Sequence, residues 1–147
     1  GTTVYELTAL GKKTGDLLYE LAFFGARFPP DLEIKRPGNL RTIAVTLRVA
    51  CQRVVEPDMS LHAELDVDGE PFAVTVDEGA VDLTVGKPSA PEAVLTTSYE
   101  PMIAVADGEM PLEKFAAEHV ELSGPSAAQG QALAELMGRA MLRMIDV

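Results

Sequence analysis

The sequence predicts an α+β fold: a long N-terminal helix, then a mostly antiparallel sheet of four or five strands covered by helices. Three observations carry that expectation. Apolar residues recur at helical spacing up to about residue 55, alternate with polar residues from 61 to 85, and return to helical spacing after 98. With 147 residues, 47% of them hydrophobic and 24% charged, the chain is sized for one domain, or one domain with an attached helical piece.

The first stretch, Thr2-Thr3-Val4-Tyr5-Glu6-Leu7, reads as a strand, and Thr8 suits a helix N-cap because its hydroxyl can accept from first-turn amides. A helix over about residues 9–27 then sets Leu10, Thr14, Leu17, Leu21, Phe24 and Phe28 at alternating spacings of four and three. Leu18 and Ala22 widen that stripe. Such a seam suits lengthwise packing on another helix. Pro29-Pro30 ends it, and residues 31–38 read as a linker. A second helix, about 40–55, gathers Leu40, Ile43, Ala44, Leu47, Ala50, Cys51 and Val54 on one face.

The period then becomes two. Leu61, Ala63, Leu65 and Val67 alternate with His62, Glu64 and Asp66, and Asp68-Gly69 signals a hairpin because both residues tolerate positive φ. Phe72, Val74 and Val76 mark the return strand; a turn at Asp77-Glu78-Gly79 leads to a third with Val81, Leu83 and Val85. A fourth strand is expected at 92–97, completing a meander with one greasy and one acidic face. Ser98 suits the cap of a short helix to about 106, with Met102, Ile103 and Val105; Pro111 suits the first turn of another, with Leu112 and Phe115 inward. Residues 119–122 read as a fifth strand, and a last helix to about 145 carries Leu133, Leu136, Met137, Ala140, Met141 and Met144.

Charge is unevenly placed. Residues 1–58 hold 8 Lys/Arg against 7 Asp/Glu, whereas residues 59–147 hold 4 against 16. A surface of that sign repels phosphate backbones, so the second part is not expected to bind nucleic acid. No run of 18 apolar residues suggests a membrane span. The single cysteine, Cys51, forbids an intramolecular disulfide, and the first dozen residues lack the apolar segment of a signal peptide. The expectation is a soluble, cytoplasmic chain. Its start at Gly1, in mid-strand, suggests part of a longer protein.

Catalytic chemistry needs converging polar groups, and few patterns supply them. His62 and His119 stand 57 residues apart, without H-x-x-x-H or C-x-x-C spacing, so no metal site is expected. His62 lies on the polar phase of its strand and reads as solvent-facing; His119 reads as the start of a strand. Cys51 sits on an apolar stripe, where burial raises a thiol pKa and makes it inert. Residues 79–87 end in Gly-Lys with the wrong spacing for a phosphate loop, and Asp66-Val67-Asp68-Gly69 lacks the remaining ligands of a calcium loop. Neither an enzyme nor a cofactor is expected. The chain does offer apolar area: an open sheet with one greasy face, under helices bearing Met102, Met137, Met141 and Met144, is a scaffold that can leave a lipid-sized tunnel or close as a solid core.

Two stretches resemble known families. Val4-Tyr5-Glu6-Leu7-Thr8-Ala9-Leu10-Gly11, followed by Leu21-Ala22-Phe23-Phe24-Gly25, resembles the end of an HxlR-type winged-helix transcriptional regulator. In that family a tyrosine-x-leucine-threonine-x-x-glycine return strand of the wing precedes a dimerising helix closing in tryptophan-glycine. Phe24 stands here for the tryptophan, and the match spans about residues 2–28. Residues 39–145 resemble a sterol-carrier-protein-like domain through Val67-Asp68-Gly69-Glu70, Glu78-Gly79, Val85-Gly86-Lys87-Pro88, Ala106-Asp107-Gly108-Glu109 and Val120-Glu121-Leu122-Ser123-Gly124, in that order. Some such regulators carry this domain after the winged helix, and the resemblance implies a hydrophobic tunnel between sheet and helices.

The reading that follows is the effector-binding and dimerisation region of a transcriptional regulator. Residues 1–30 would hold the end of the wing and the dimerisation helix, 31–38 the linker, and 39–147 the ligand-binding domain. A hydrophobic small molecule or lipid would be lined by Leu47, Cys51, Phe72, Val74, Leu83, Met102, Ile103, Phe115, Met137 and Met141. Leu10, Leu17, Leu21 and Phe24 would form the seam of a homodimer. DNA would be reached only through a winged-helix domain that these residues do not include. The alternatives are a freestanding lipid carrier and a structural dimerisation domain with a filled core.

Overall fold

The computed structural model describes residues 8–26 and 39–145. In chain order the elements are α1 (Ala9–Ala26), α2 (Asn39–Val54), β1 (Leu61–Val67), β2 (Glu70–Asp77), β3 (Ala80–Val85), β4 (Ala93–Thr97), α3 (Tyr99–Ala106), α4 (Leu112–Glu118), β5 (Glu121–Ser123) and α5 (Ala127–Ile145). The expected strand at residues 2–7, the linker at 31–38 and Phe28 lie outside the described residues.

The five strands form one sheet in the order β3-β2-β1-β4-β5. The β1–β2 and β2–β3 hairpins are antiparallel, with Leu65 opposite Phe72 and Val74 opposite Leu83. Both turns place two consecutive residues at positive φ: Asp68 and Gly69 at 54° and 85°, Glu78 and Gly79 at 47° and 75°. That backbone matches the twist of the strands it joins. Asp66 reinforces the first turn, its Oδ1 accepting from the Gly69 amide at 2.8 Å.

The expected meander is corrected at β4. This strand does not follow β3 but lies parallel to β1, Ala63 beside Ala93 through Val67 beside Thr97, so the sheet is mixed rather than mostly antiparallel. The reason is the connection over residues 86–92, which crosses β2 and β1. Parallel strands usually need a longer crossover. Here β3 ends at the level of Phe72 and Leu65 while β4 begins at the level of Ala63, so the path is mainly lateral. Three strand spacings of about 4.8 Å lie within reach of seven residues.

Three hydrogen bonds hold this strap. The Gly86 amide donates to the Pro71 carbonyl (2.9 Å), the Glu92 amide to the His62 carbonyl (2.9 Å), and the His62 Nε2 lies 2.8 Å from the Ser89 carbonyl oxygen. His62 is therefore a half-buried tether rather than a solvent-facing residue. The strap also alters the expected acidic face: Glu64 is only 4% exposed, with Lys87 Nζ 3.9 Å from its Oε1.

Helices cover the opposite face. Leu61, Ala63, Leu65, Val67, Phe72, Val74, Val76, Leu83, Ala93 and Leu95 are buried there against Leu47, Ala50 and Cys51 of α2 and Leu133, Leu136, Met137, Ala140 and Met141 of α5. Gln52 locks α2 to the second hairpin, its Nε2 donating to the Gly79 carbonyl (2.9 Å) and its Oε1 accepting from the Val81 amide (2.8 Å). Gln129 ties the start of α5 to β1, its Oε1 accepting from the His62 amide and its Nε2 donating to the Ser60 carbonyl.

The compact body begins with α2, and α1 packs chiefly on it. Thr8 caps α1 as expected, its Oγ1 accepting from the Gly11 amide at 3.1 Å. Gly15 sits where an added Cβ would touch Val49 Cγ2 at 3.9 Å, and Arg53 Nη2 pairs with Glu20 Oε1 at 3.0 Å. Those two contacts set α1 and α2 in the same direction. Elsewhere the capping differs from expectation. Ser98 precedes α3 without a side-chain cap bond, Asp68 Oδ2 accepting from the Tyr99 amide instead, and Pro111 occupies the N-cap of α4. His119 is the C-cap of α4 rather than the start of β5.

Gly124, between β5 and α5, has φ +111°, and an added Cβ would lie 2.8 Å from Ala93 Cα. Gly69 has φ +85° with open space around it. Gly124→Ala is therefore expected to destabilise the fold by about 2 kcal/mol or more, and Gly69→Ala by only about 1 kcal/mol, in urea unfolding. Equal losses would show that the close approach of Gly124 to β4 carries no weight.

Candidate functional site: an apolar cavity under α5

A cavity of about 460 Å³ opens between the sheet and the C-terminal helices. Its floor is Leu65 from β1 with Leu95 and Thr97 from β4. Met102 of α3, then Leu112, Phe115 and Ala116 of α4 and the neighbouring Val120, form one wall. The other wall is α5, through Ala134, Met137, Gly138, Met141 and Leu142, with Gln131, Glu135 and Arg139 also contributing.

The space follows from residue size. Gly138 faces Leu112, whose Cδ2 would stand only 3.1 Å from an added Cβ, so the helices approach closely there. Ala116 and Ala134 elsewhere in the wall have no side chain long enough to span the gap. Met102, Met137 and Met141 can adapt to contents of varying shape.

Polar groups in this wall are few. Gln131 Nε2 donates to Glu135 Oε1 at 3.0 Å, and both side chains are exposed. Arg139 Nη1 donates to Glu56 Oε1 in an ion pair that joins α5 to the chain after α2. Two buried atoms of the wall lack a hydrogen-bond partner: the Thr97 hydroxyl oxygen and Arg139 Nε.

The structure divides the sequence-nominated lining. Met102, Phe115, Met137 and Met141 face the cavity. Leu47, Cys51, Phe72, Val74 and Leu83 do not; they interlock in the filled core beneath α2. Ile103 is 38% exposed on α3 and does not line this cavity either. For Phe72, Val74 and Leu83 the cause is the strand order. In a meander β2 and β3 would be central, whereas the observed order makes β1 the middle strand and brings β4 beside it. Leu65, Leu95 and Thr97 were missed for that reason. The small residues Ala116, Ala134 and Gly138 were visible at helical spacing, but absence of a side chain signals a void only once the facing helix is known.

The remaining candidates fall outside the cavity. His119 packs its ring near Phe115, centroids 6.4 Å apart. Cys51 is buried in the core, and loss of solvation pushes its thiol up to about 12. Among the described residues no cluster of three or more His, Cys, Asp or Glu could hold a metal ion, and no helix is long and apolar enough to cross a membrane. On α1, Leu10, Leu17, Leu21 and Phe24 are each more than half exposed. Met144 lies at the end of α5, with its side chain outside the described set.

No family model matches the sequence, and no curated protein matches it. Solved structures do resemble the fold. An inverting sec-alkylsulfatase, Pisa1 from Pseudomonas sp., superposes with a TM-score of 0.50 at 14% identity over 75% of this chain, which corresponds to 18% of the sulfatase. Palmitated SCP2L2 from Aedes aegypti gives a TM-score of 0.48 at 21% identity, covering 62% of this chain and 86% of that one. A ubiquinone synthesis protein, UbiJ-SCP2, gives 0.41 at 14% identity, covering 92% and 96%. The chain thus spans less than a fifth of the sulfatase, and its structural neighbours include sterol-carrier-protein domains. The comparisons do not bear on the winged-helix resemblance.

The buried thiol makes a direct prediction. Because its folded pKa is raised, the stabilising contribution is complete below the unfolded value near 9 and is lost as pH rises toward about 12. Over that window the unfolding free energy should fall by about 1.4 kcal/mol per pH unit from this group. Cys51→Ala should remove that part of the alkaline slope in urea titrations at several pH values. An unchanged slope would count against the buried-thiol account.

Proposed function

We propose that this chain binds a hydrophobic small molecule or lipid in the cavity between α3, α4, α5 and the central strands. The observation that carries the reading is the cavity itself: about 460 Å³ of mainly apolar space, within the range of small-molecule sites. Each methylene moved from water into such a space gains about 0.8 kcal/mol. A chain of about a dozen would gain about 10 kcal/mol before the cost of association, which is about 4 kcal/mol or more. The wall supports binding rather than catalysis. Its ionisable groups are Glu135 and Arg139, the latter committed to Glu56, and no nucleophile stands beside a base there.

In this reading residues 39–147 form the ligand-binding domain, residues 1–30 the end of a wing and a dimerisation helix, and 31–38 the linker. The cavity suits two settings equally, an effector domain in a transcriptional regulator and a freestanding lipid carrier. A specific observation favours the first: the row Leu10, Leu17, Leu21 and Phe24 stays exposed after α1 has docked on α2. In a homodimer joined along that row, ligand occupancy would regulate DNA binding only by favouring one arrangement of the attached winged-helix domains. A carrier needs no such seam.

Ala134→Phe should fill the cavity from α5 and weaken binding of an apolar fluorescent probe at least tenfold while leaving helical circular dichroism intact. Binding unaffected by that change would remove this cavity as the site. Leu17→Glu combined with Leu21→Glu should convert a dimer to a monomer in sedimentation. A wild-type chain that is already monomeric at high concentration would dismiss the seam and favour the carrier.

A further inference from the structure

We infer that Thr97 is a specificity-determining residue of the cavity, selecting a neutral lipid that carries a hydroxyl or carbonyl oxygen over a bare hydrocarbon or a fatty acid anion. The inference rests on the ligand-binding reading of the same cavity and adds the chemistry of its occupant. Thr97 ends β4 and shares the helix-facing side of that strand with Ala93 and Leu95. It is 6% exposed, lines the cavity, and its hydroxyl oxygen has no hydrogen-bond partner.

A buried hydroxyl without a partner costs free energy that a valine of the same shape would avoid. An oxygen on a bound ligand would remove that cost by accepting the Thr97 proton, and a ligand hydroxyl could also donate to Oγ1. A bare hydrocarbon would leave the group unsatisfied.

The charge around the site sets the second half of the preference. Arg139, the cation in the wall, already serves the Glu56 carboxylate, and the other ionisable group there is the carboxylate of Glu135. An anionic headgroup would therefore meet the Glu135 carboxylate while the one guanidinium of the lining is already paired. A neutral oxygen meets no such repulsion.

The test compares 1-tetradecanol, tetradecane and myristate as competitors of an apolar fluorescent probe on the full chain, in the wild type, Thr97→Val and Thr97→Ser. Valine keeps the shape and strand preference of threonine, and serine keeps the hydroxyl. The wild type should prefer the alcohol to the alkane by roughly five- to tenfold, the range of one hydrogen bond, and should bind myristate more weakly than the alcohol. Thr97→Val should erase the preference for the alcohol while holding alkane affinity, and Thr97→Ser should retain it. A Thr97→Val protein that keeps the preference, or a wild type that favours myristate, overturns the assignment while leaving the cavity as a binding site. Failure of all three competitors to displace the probe from the wild type overturns the cavity reading and this assignment together.

Discussion

The parallel pairing of β4 with β1 is the constraint on which the rest of this molecule depends. It is held by a seven-residue strap that crosses two strands and is pinned by backbone bonds at Gly86 and Glu92. Once β4 lies beside β1, its C-terminal end at Thr97 leads into α3, which packs against α5 and α4, and β5 can pair on its free edge. The cavity floor of Leu65, Leu95 and Thr97 exists only because these two strands are neighbours. The strap also accounts for the burial of Glu64 on the far face, which a two-sided sheet in water would leave wet.

The two halves of the helical layer treat the same greasy face differently. Beneath α2, Leu47, Ala50 and Cys51 interlock with Phe72, Val74 and Leu83, the dense packing expected of a protein interior. Beneath α5 and α4, Gly138 admits Leu112 closely while the short side chains of Ala134 and Ala116 leave space beside it, and the lining atoms forgo dispersion partners. A void of this kind lowers stability unless something occupies it. The unpartnered Thr97 hydroxyl adds a polar cost of the same sense. Both deficits lie in one place, and the proposed ligand binding would relieve them together.

Helix α1 stands apart from this economy. Its Gly15 faces α2, where an added Cβ would meet Val49 at ordinary contact distance, and the Glu20–Arg53 pair ties its second half to the same helix. The larger residues Leu10, Leu17, Leu21 and Phe24 point elsewhere. The sequence suggested a seam for lengthwise helix packing, and within this chain that seam is not used against α2. Among the described side chains of α1, Gly15 lies at the contact with α2 and the four large apolar residues lie on the surface.

Much of the fold was legible in the sequence because it rests on local chemistry. The Thr8 cap, the two hairpins at Asp68-Gly69 and Glu78-Gly79, the alternation of β1 to β3, and the burial of Cys51 each follow from residues close in the chain. The strand order did not follow, because residues 86–92 read as a break, and nothing local says whether a break turns back on its neighbour or crosses two strands. That single ambiguity directed the expected lining toward Phe72, Val74 and Leu83, whereas Met102, Phe115, Met137 and Met141, nominated from their helical stripes, stand around the cavity. The cavity itself belongs to tertiary structure alone. Periodicity shows which face of an element turns inward; only the meeting of two such faces decides whether small side chains close the space or leave it open.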